Sequence, residues 1–387
     1  MRLLYLTPGC FDKGGISRYC RYQIRALREI LGEQQIRVLS LLGPNADSFE
    51  DPFDVTWNGR GNSFWDKASF TMQTLEQALP WRPDVLWCAH VNLSGMAKAV
   101  ALMVGAKVVL NTYGIEVWSG FRRDIAWGLR NADYVLSDCY ATAAYLEDEG
   151  LRPKRSVAVV WDCVDLEKFS PGEPSAEVLR RYRVPDPTGG FNLLTLGRMT
   201  EDTDHKGYTR LYDIFTRITK FAPKLRLIFA GRGALAEILR ERTLEDNLQE
   251  RVFFTGGIHD DDLPDVYRSA HLFSLVSDRG KGRGEGIPLT PLEAAACGVP
   301  ILVGNQDGSR EAVVEDVNGH ILSPLDLGRH AETILSLVRD DARRNTMGQA
   351  ARKRIEEEFA YSTFRERHRA LLAQWFPKFR KQGVRRD

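Results

Sequence analysis

Short runs of apolar residues alternate with segments of helical periodicity along the whole chain. A short apolar run predicts a buried strand, whereas an apolar residue at every third or fourth position predicts a helix. Strands are predicted at 2–7, 36–42, 84–89, 107–111, 133–137 and 156–161, and then at 191–196, 225–230, 251–255, 271–276 and 300–303. Strands that alternate with helices indicate an α/β protein with parallel sheets.

Two stretches rich in proline and glycine, Ser170–Ser175 and Val184–Gly190, separate the two sets of strands. Such stretches are typical of a hinge between domains. We therefore predict two Rossmann-like domains that face each other across a central cleft, at residues 1–172 and 186–362. Ligands of open parallel sheets bind at the carboxyl ends of the strands.

Composition narrows the class of protein. The 387 residues are 43% hydrophobic and 27% charged, which describes a soluble globular protein, and the net charge of +1 gives no reason to expect nucleic-acid binding. Six scattered cysteines without a Cys-x-x-Cys pair indicate a reduced cytoplasmic protein without disulfides or structural zinc. No signal peptide and no membrane-spanning segment are expected.

Two glutamates eight positions apart form the most informative motif. Glu285 follows a glycine, and Glu293 falls in a helix for which Thr290 is the predicted N-cap and Pro291 the first residue, with Gly298 at its end. A helix N-terminus suits a phosphate, so this segment suits a sugar nucleotide. The alternative is that Glu293 only completes a capping box with Thr290 and that Glu285 is a surface acid.

Two further loops have the character of phosphate sites. Gly14 and Gly15 lie between the first strand and a helix that runs to about Leu31, where backbone N–H groups can reach a phosphate. Arg198 follows a strand, and Lys206 precedes the next helix, so together they can neutralise a diphosphate. A flexible loop and solvated surface charges are the alternatives.

Two other sequence patterns are weaker indications of a binding site. Gly231-Arg-Gly233 follows a strand like a dinucleotide fingerprint, but the next strand ends in Gly256-Gly257, without the acid that would hold a ribose. The acidic run Asp260–Asp262 is similar to a metal-binding Asp-x-Asp motif, but it precedes a helix, which favours capping. No metal site is therefore expected.

Together these motifs resemble the retaining glycosyltransferases of family 4, which have the GT-B fold. The matching residues are Gly14-Gly15, Leu196-Gly-Arg198, Lys206-Gly207, the Glu-x7-Glu pair of Glu285 and Glu293, and the segment from Trp161 to Pro171, where Asp162-Cys163 replaces the family's Asn-Gly. The resemblance covers essentially the whole chain. It implies a terminal helix, at about 363–387, that packs back on the first domain.

The resemblance implies a role for each matching residue. Glu285, Arg198 and Lys206 would be catalytic, with Glu285 orienting the sugar and the two cations gripping the diphosphate. Glu293 would hold the ribose. The remaining donor-binding residues would be Gly14, Gly15, Gly286, Ile287, Pro288 and Leu289. Members of the family generally need no metal or other cofactor.

One segment departs from the family pattern. The family's His-Gly-x-Asp/Glu reads Tyr113-Gly114-Ile115-Glu116 here, so a tyrosine stands where the family has histidine. Tyrosine offers a hydroxyl and a ring, but with an ordinary pKa near ~10 it stays neutral. His90, at the preceding strand end, is a candidate for the acceptor side together with Tyr113 and Glu116. The alternative for His90 is an ordinary strand-end histidine.

The implied function is that of a retaining, metal-independent hexosyltransferase. It would move a sugar from a nucleotide-sugar donor to a hydroxyl of a glycan or lipid-linked acceptor, in polysaccharide or glycolipid assembly. The alternatives are a GT-B relative that acts on soluble sugars and a sugar-nucleotide-binding regulator without activity. A stripe of arginines on the first helix (Arg18, Arg21, Arg25 and Arg28) and the tail from Trp375 to Lys381 predict peripheral binding to an anionic membrane, and a solvated helix face is the alternative for the stripe.

Overall fold

The computed structural model describes residues 1–12, 14–45, 54–59, 61–118, 120–279 and 285–377. The chain divides into two compact units, each built on one parallel sheet. The first unit comprises Met1–Cys163 together with the chain from Tyr361 onward, and the second comprises Val164–Ala360.

Seven strands form the sheet of the first unit. They are β1 (Leu3–Thr7), β2 (Ile36–Leu42), β3 (Thr56–Gly59), β4 (Val85–Cys88), β5 (Lys107–Thr112), β6 (Tyr134–Ser137) and β7 (Val157–Val159). Their order is β3-β2-β1-β4-β5-β6-β7, and all neighbours are parallel. The helices are α1 (Gly15–Leu31), α2 (Phe64–Trp81), α3 (Ser94–Val104), α4 (Ile115–Trp118), α5 (Arg123–Asn131), α6 (Tyr140–Asp148) and, from the end of the chain, α14 (Tyr361–Trp375).

Strand β1 shows why the apolar runs form strands. All of its residues are buried, as is typical of a parallel strand covered by helices on both faces. Leu4 and Leu6 belong to the core on one face of the sheet, and Leu3 and Tyr5 belong to the core on the other face. Side chains alternate between faces with a period of two, so one apolar run supplies both cores.

Helix α14 returns to the first unit and packs on α1. The rings of Phe364 and Tyr19 meet edge to face with centroids 5.2 Å apart, and Arg365 Nη1 lies 3.0 Å from Glu29 Oε2. His368 is fully buried between the two helices, where its Nε2 lies 2.8 Å from Gln23 Nε2. The helix is described from Tyr361 to Trp375, and the tail residues from 378 onward lie outside the described residues.

Six parallel strands form the sheet of the second unit. They are β8 (Phe191–Leu196), β9 (Leu225–Ala230), β10 (Val252–Gly256), β11 (Leu272–Leu275), β12 (Ile301–Gly304) and β13 (Gly319–Leu322), in the order β10-β9-β8-β11-β12-β13. The helices are α7 (Ala176–Arg181), α8 (Tyr208–Ile218), α9 (Ala234–Glu245), α10 (Leu263–Arg268), α11 (Leu289–Ala296), α12 (Leu327–Arg339) and α13 (Asp341–Glu358).

The units divide between Cys163 and Val164, earlier in the chain than the boundary predicted at 172. The residues after this point pack within the second unit. Phe169 meets the ring of Tyr267 with centroids 5.9 Å apart, and Arg268 Nε donates to the Ser170 carbonyl at 2.8 Å. The proline and glycine residues that follow therefore belong to the second unit.

The Gly231-Arg-Gly233 pattern is explained by packing between two loops. A Cβ at Gly231 would lie 1.9 Å from the Gly197 carbonyl oxygen, and one at Gly233 would lie 2.0 Å from the Met199 carbonyl oxygen. Their φ angles of +131° and +150° also favour glycine. The two glycines thus let the loop after β9 lie directly against the turn that carries Arg198.

Candidate active site

Two loops at the carboxyl edge of the second sheet bring a carboxylate, an ammonium and an imidazole together. Glu285 lies between β11 and α11, while His205 and Lys206 end a 3-10 turn, Glu201–Lys206, that follows β8. Lys206 Nζ is 3.2 Å from Glu285 Oε1, and His205 Nε2 is 3.2 Å from the same oxygen. The structure therefore places two of the predicted catalytic residues in direct contact.

The 3-10 turn is held in place from two sides. The carbonyl of His205 accepts from the Asp278 N–H at 2.8 Å and from Arg210 Nη2 at 3.0 Å. Gly207 ends the turn with a φ of +92°, and a Cβ there would lie 2.7 Å from the Val276 carbonyl oxygen. Only glycine fits that position without strain, so Gly207 is a geometric requirement of the turn.

Electrostatics keep Glu285 ionised. Burial alone would raise the pKa of this carboxyl, but the charge of Lys206 and the hydrogen bond and charge of His205 outweigh it and lower the pKa to about 2. The side chain of Glu285 is 18% exposed. Glu285 is thus a permanent acceptor of hydrogen bonds rather than a proton donor at neutral pH.

Asp307 supports Glu285 from behind and was missed in the sequence. Its Oδ2 accepts from the Glu285 N–H at 2.9 Å and its Oδ1 from the Ser309 N–H at 3.0 Å, while the Gly308 N–H donates to the Glu285 carbonyl at 3.2 Å. Burial raises the pKa of Asp307 to about 7, and the nearby charge of Glu285 acts in the same direction. The only available signal was an Asp-Gly-Ser turn just after a strand.

Glu293 lies in the buried part of α11, where its position differs from the predicted one. The helix begins at Leu289 with Pro288 as its N-cap, so Thr290 is not the cap and a capping box with Glu293 is wrong. The backbone becomes helical directly after Pro288. Glu293 is 2% exposed, and its Oε2 accepts from the Tyr267 hydroxyl at 2.7 Å.

Four predicted donor-binding residues join Glu285 to α11, namely Gly286, Ile287, Pro288 and Leu289. Ile287 is 5% exposed, whereas Gly286 is partly exposed beside Glu285. Residues 280–284, including the glycine before Glu285, lie outside the described residues. The backbone from Gly286 onward therefore leads from the site directly into a buried helix.

Arg198 and Tyr208 complete the surroundings of Glu285. Arg198 is exposed on the turn after β8, and its carbonyl accepts from Thr203 Oγ1 at 2.8 Å. Burial, together with the charge of Glu285, raises the pKa of Tyr208, while the charge of Arg198 lowers it. Arg198 and Glu285 thus both influence the pKa of Tyr208, in opposite directions.

In the first unit, Gly14 and Gly15 stand at the start of α1 as predicted, but an aspartate already occupies this position. Gly14 is the N-cap, and its N–H donates to Asp12 Oδ1 at 2.7 Å. The other oxygen of Asp12 accepts from Ser17 Oγ at 2.5 Å. A phosphate at this helix end would have to replace the Asp12 carboxylate.

Tyr113 directs its hydroxyl into the core rather than toward solvent. The residue is 6% exposed, and its hydroxyl accepts from Asn111 Nδ2 at 2.8 Å. Asn111 Nδ2 also donates to Gln23 Oε1 at 2.6 Å, and the Trp87 indole donates to Asn111 Oδ1 at 2.9 Å. Burial raises the pKa of Tyr113, so it stays neutral. The hydroxyl of Tyr113 is therefore bound within the core.

His90 and Glu116 lie near Tyr113 at the same edge of the sheet. His90 Nδ1 accepts from the Asn92 N–H at 3.2 Å, and burial lowers the pKa of His90 to about 4, so the ring is neutral. Glu116 Oε1 accepts from the Tyr113 N–H at 2.5 Å, and burial raises its pKa. Its Oε2 is buried without a hydrogen-bond partner in the described part of the chain.

The side chains of the acidic run Asp260–Asp262 bind other residues, and Asp262, the N-cap residue of α10, makes no capping hydrogen bond with its side chain. Asp260 pairs with Lys168, and Asp262 accepts from Arg181 Nη1 at 3.0 Å and from the Tyr182 hydroxyl at 2.7 Å. Across the described residues, no three His, Cys, Asp or Glu side chains are arranged to hold a metal ion.

Comparison with known proteins bears on the second unit most directly. A family model described as glycosyl transferases group 1 matches residues 185–354. The chain is 28% identical over 292 residues to the GDP-mannose-dependent alpha-(1-6)-phosphatidylinositol monomannoside mannosyltransferase of Mycobacterium tuberculosis, covering 72% of this chain and 73% of that protein. Residues 185–354, most of the second unit, therefore match the group 1 glycosyltransferases.

The chain matches two further proteins over more of its length than the family model covers. It is 26% identical over 298 residues to the GDP-mannose-dependent monoacylated alpha-(1-6)-phosphatidylinositol monomannoside mannosyltransferase of Corynebacterium glutamicum, covering 72% of this chain and 74% of that protein. Its fold matches Anabaena Alr3699/HepE in complex with UDP, with a TM-score of 0.79, 17% identity and coverage of 97% and 100%. The α/β fold with two Rossmann-like domains, GT-B, is thereby confirmed.

Proposed function

We propose that this glycosyltransferase moves a hexose from a nucleotide-sugar donor to a hydroxyl of a glycan or lipid-linked acceptor, in polysaccharide or glycolipid assembly. Two relatives are named as GDP-mannose-dependent phosphatidylinositol monomannoside mannosyltransferases, which supports this class of donor and acceptor. The observation that carries the proposal is the contact of Glu285 with Lys206 inside the segment that the family model matches.

We assign the donor to the second unit. Lys206 and Arg198 would neutralise the charge that develops on the departing diphosphate, which is the usual use of fixed cations in such a site. Glu285 stays ionised and would accept hydrogen bonds from sugar hydroxyls. Glu293 would hold the ribose, with Tyr267 fixing its carboxylate. Gly286 and the backbone that follows it would contact the donor.

We further propose that transfer retains the anomeric configuration. In that reaction the acceptor hydroxyl attacks from the face that the diphosphate leaves, and an oxygen of the leaving phosphate takes the hydroxyl proton. No side chain has to act as general base in this scheme. The scheme also needs no metal ion, because Arg198 and Lys206 supply the positive charge at the leaving group.

The acceptor side is assigned to the first unit. The buried Glu116 Oε2, which has no protein partner among the described residues, is suited to a hydroxyl of the acceptor. His90 is neutral and can exchange a hydrogen bond with such a hydroxyl. Tyr113 would position these two groups, because its N–H donates to Glu116 Oε1 and its ring centroid lies 6.4 Å from that of His90.

A lipid-linked acceptor would bring the enzyme to a membrane surface, and we propose peripheral binding on the cytoplasmic face. No described helix has the length and apolar character that crossing a bilayer requires. The arginines of α1 are only partly available for lipid, since Arg21 Nη1 donates to the Cys10 and Asp12 carbonyls and Arg25 pairs with Glu29. The basic tail at 378–381 lies outside the described residues.

Calorimetric titration of nucleotide sugars, followed by assay of the donor that binds, tests the proposal. GDP-mannose is tested first, then sugars of UDP, ADP and CMP. We expect one donor to bind and to be turned over, and Glu285→Gln to lose turnover while still binding the nucleotide. Binding of a donor without any hydrolysis or transfer would instead support the regulator.

A further inference from the structure

The ring of His205 is fixed against Glu285, although no sequence pattern marked His205 as a residue of the site. Its side chain is 7% exposed. Nε2 lies 3.2 Å from Glu285 Oε1, and Nδ1 lies 3.0 Å from the carbonyl oxygen of Asp202. The backbone of His205 is held as well, through its carbonyl, by Asp278 and Arg210. The imidazole therefore sits in one orientation between two oxygen atoms.

Both ring nitrogens of His205 face groups that only accept hydrogen bonds. A carbonyl oxygen has no proton to donate, and the pKa of Glu285, about 2, leaves its carboxylate ionised. A neutral imidazole has one N–H and would turn a lone pair toward the other oxygen. An imidazolium has two N–H groups and satisfies both contacts. The geometry therefore matches the protonated ring.

Lys206 shares its partner with His205. Both contact the same oxygen, Glu285 Oε1, at 3.2 Å. In the proposed reaction Lys206 also binds the diphosphate, which draws its ammonium toward a second anion. A largely buried carboxylate that loses its cation is strongly destabilised unless another donor remains in place. His205 is such a donor.

We propose that His205, as an imidazolium, is a positioning residue that holds Glu285 in its sugar-binding orientation while Lys206 binds the diphosphate. The inference rests on the proposed function, in which Glu285 contacts the sugar. Because only the protonated ring donates to both oxygens, use of the donor is greatest at pH values where the ring is charged. It falls as the pH rises and the ring loses its proton.

Other charged and titratable groups of the site contribute to any pH profile. They are Glu285 and Asp278 from the segment after β11, Asp202, Asp204 and Lys206 from the same turn as His205, Arg198 from the turn after β8, Tyr208 and Arg210 from α8, and Asp307 from the loop after β12. Asp307 has a pKa of about 7. A variant that changes only His205 leaves the contribution of Asp307 in place.

A pair of amide variants separates the two contacts of the ring. His205→Gln keeps an N–H near the position of Nε2 and can still donate to Glu285, without a charge that titrates. His205→Asn keeps an N–H near Nδ1 and can reach only the Asp202 carbonyl. We measure kcat/KM for the donor at a series of pH values from about 5 to 9.

We expect the parent enzyme to lose about tenfold or more in kcat/KM across this range, because loss of a partner that orients a functional group typically costs ~10–100-fold. In His205→Gln, kcat/KM should no longer decline in this way, and only the pH dependence that Asp307 contributes should remain. His205→Asn should lose activity at every pH with an unchanged melting temperature. His259→Gln is the control, since His259 is an exposed histidine of the same unit that faces Asp261, and its profile should match the parent.

Either of two results overturns the proposal: superimposable pH profiles for the parent and His205→Gln, or full activity in His205→Asn. A measurement that does not require sugar transfer tests the role of His205 independently of the proposed function. Nitrogen-15 spectra of the histidine rings, assigned with His205→Gln, should show both nitrogens of His205 protonated at neutral pH, and Glu285→Gln should remove one of these protons. A singly protonated ring in the parent refutes the positioning role even if the enzyme transfers sugar, whereas an inactive parent with a doubly protonated ring refutes only the function.

Discussion

A single buried oxygen, Glu285 Oε1, is the point at which the charges of the site meet. Lys206 and His205 both contact it, and Arg198 acts on the same surroundings through its charge on Tyr208. Two opposed effects act on the ionised carboxylate of Glu285: burial destabilises it, and attraction by its neighbours stabilises it. Substitution of each neighbour of Glu285 should therefore have a measurable effect on the site.

Lys206→Ala and Arg198→Ala should each lower kcat/KM by at least ~100-fold, as loss of a contact to a developing charge does. Lys206→Ala should also raise the pKa of Glu285, because the charge of Lys206 is the largest influence that lowers it. Steady-state kinetics and carboxyl titration by NMR measure the two effects. Lys224→Ala, at an exposed lysine of the same unit, is the control. Arg198→Ala within a few-fold of the parent would remove Arg198 from the site.

Glu293→Gln should weaken nucleotide binding while the fold persists. Glu293 is buried on α11 and accepts from the Tyr267 hydroxyl, so the amide keeps the shape of the side chain but loses the charge that suits ribose hydroxyls. Calorimetry with the free nucleotide measures the change. Tyr267→Phe, which removes the donor to Glu293, should weaken the same binding more mildly. Unchanged affinity in Glu293→Gln with a lowered melting temperature would leave Glu293 only a structural role.

Asp307 should make the stability of the protein depend on pH. Its pKa is raised by burial from 3.8 to about 7, so the folded state holds a proton more tightly than the unfolded chain does. The contribution of Asp307 to the free energy of unfolding is complete below the unfolded pKa and is lost as the pH rises through about 7. Urea unfolding at a series of pH values should show this decline in the parent and a shallower one in Asp307→Asn. Equal slopes would contradict the raised pKa.

At the scale of elements, close contacts between loops position the turn that carries Arg198. Gly233→Ala would bring a Cβ within 2.0 Å of the Met199 carbonyl oxygen at a φ of +150°. Overpacking of this kind costs ~1–3 kcal/mol, so we expect a clear loss in the free energy of unfolding and in activity. Gly257→Ala is the matched control, because its Cβ would meet nothing closer than 3.5 Å, on the flexible Arg232 side chain. Equal stability of the two variants would show that the loops adjust.

Most elements were predictable because their apolar residues repeat with the period of a strand or a helix. The strands at 36–42, 191–196 and 225–230 have the predicted bounds. The edge strands β3 and β13 were missed, because Thr56–Gly59 is exposed or partly exposed and Gly319–Leu322 has a glycine and a histidine among its four residues. The start of α11 was misplaced because Thr290 and Pro291 match the usual cap and first residue, whereas the backbone is already helical at Leu289.

The candidate site was predictable only in part. Glu285, Lys206 and Arg198 stand out because charged residues follow strands in glycine-containing loops. Their contacts depend on which strands are neighbours, and that order is a property of the folded sheet. His205 and Asp307 escaped notice for the same reason, since each gains its role from Glu285, at least 22 positions away in sequence. The inward hydroxyl of Tyr113 likewise depends on Asn111 and the core around it.

At the scale of the whole molecule, membrane contact follows from the proposed lipid-linked acceptor. Binding to anionic vesicles should weaken from low to high salt, because exposed basic residues are screened within a Debye length of ~8 Å at physiological salt. Trp65 is 77% exposed on α2. Because indole rings favour the membrane interface, Trp65 should contribute to vesicle binding that persists at high salt.

Vesicle co-sedimentation of the parent, Trp65→Ser and Leu325→Ser tests this expectation. Leu325 is 82% exposed in the second unit and serves as the matched control for loss of an exposed apolar side chain. We expect Trp65→Ser to bind less and Leu325→Ser to bind like the parent. A parent protein that stays in the supernatant with anionic vesicles at low salt would indicate an acceptor that is not presented by a membrane.

In the proposed mechanism, Glu285, Lys206 and Arg198 support metal-free transfer of a hexose with retention. The most direct measurement is the anomeric configuration of the product, read from its one-bond C1–H1 coupling in NMR. The reaction uses the donor chosen by calorimetry and is run in the presence of EDTA. We predict a product with the same anomeric configuration as the donor, formed at the same rate as without EDTA. An inverted product, or none once the metal is chelated, would contradict the account.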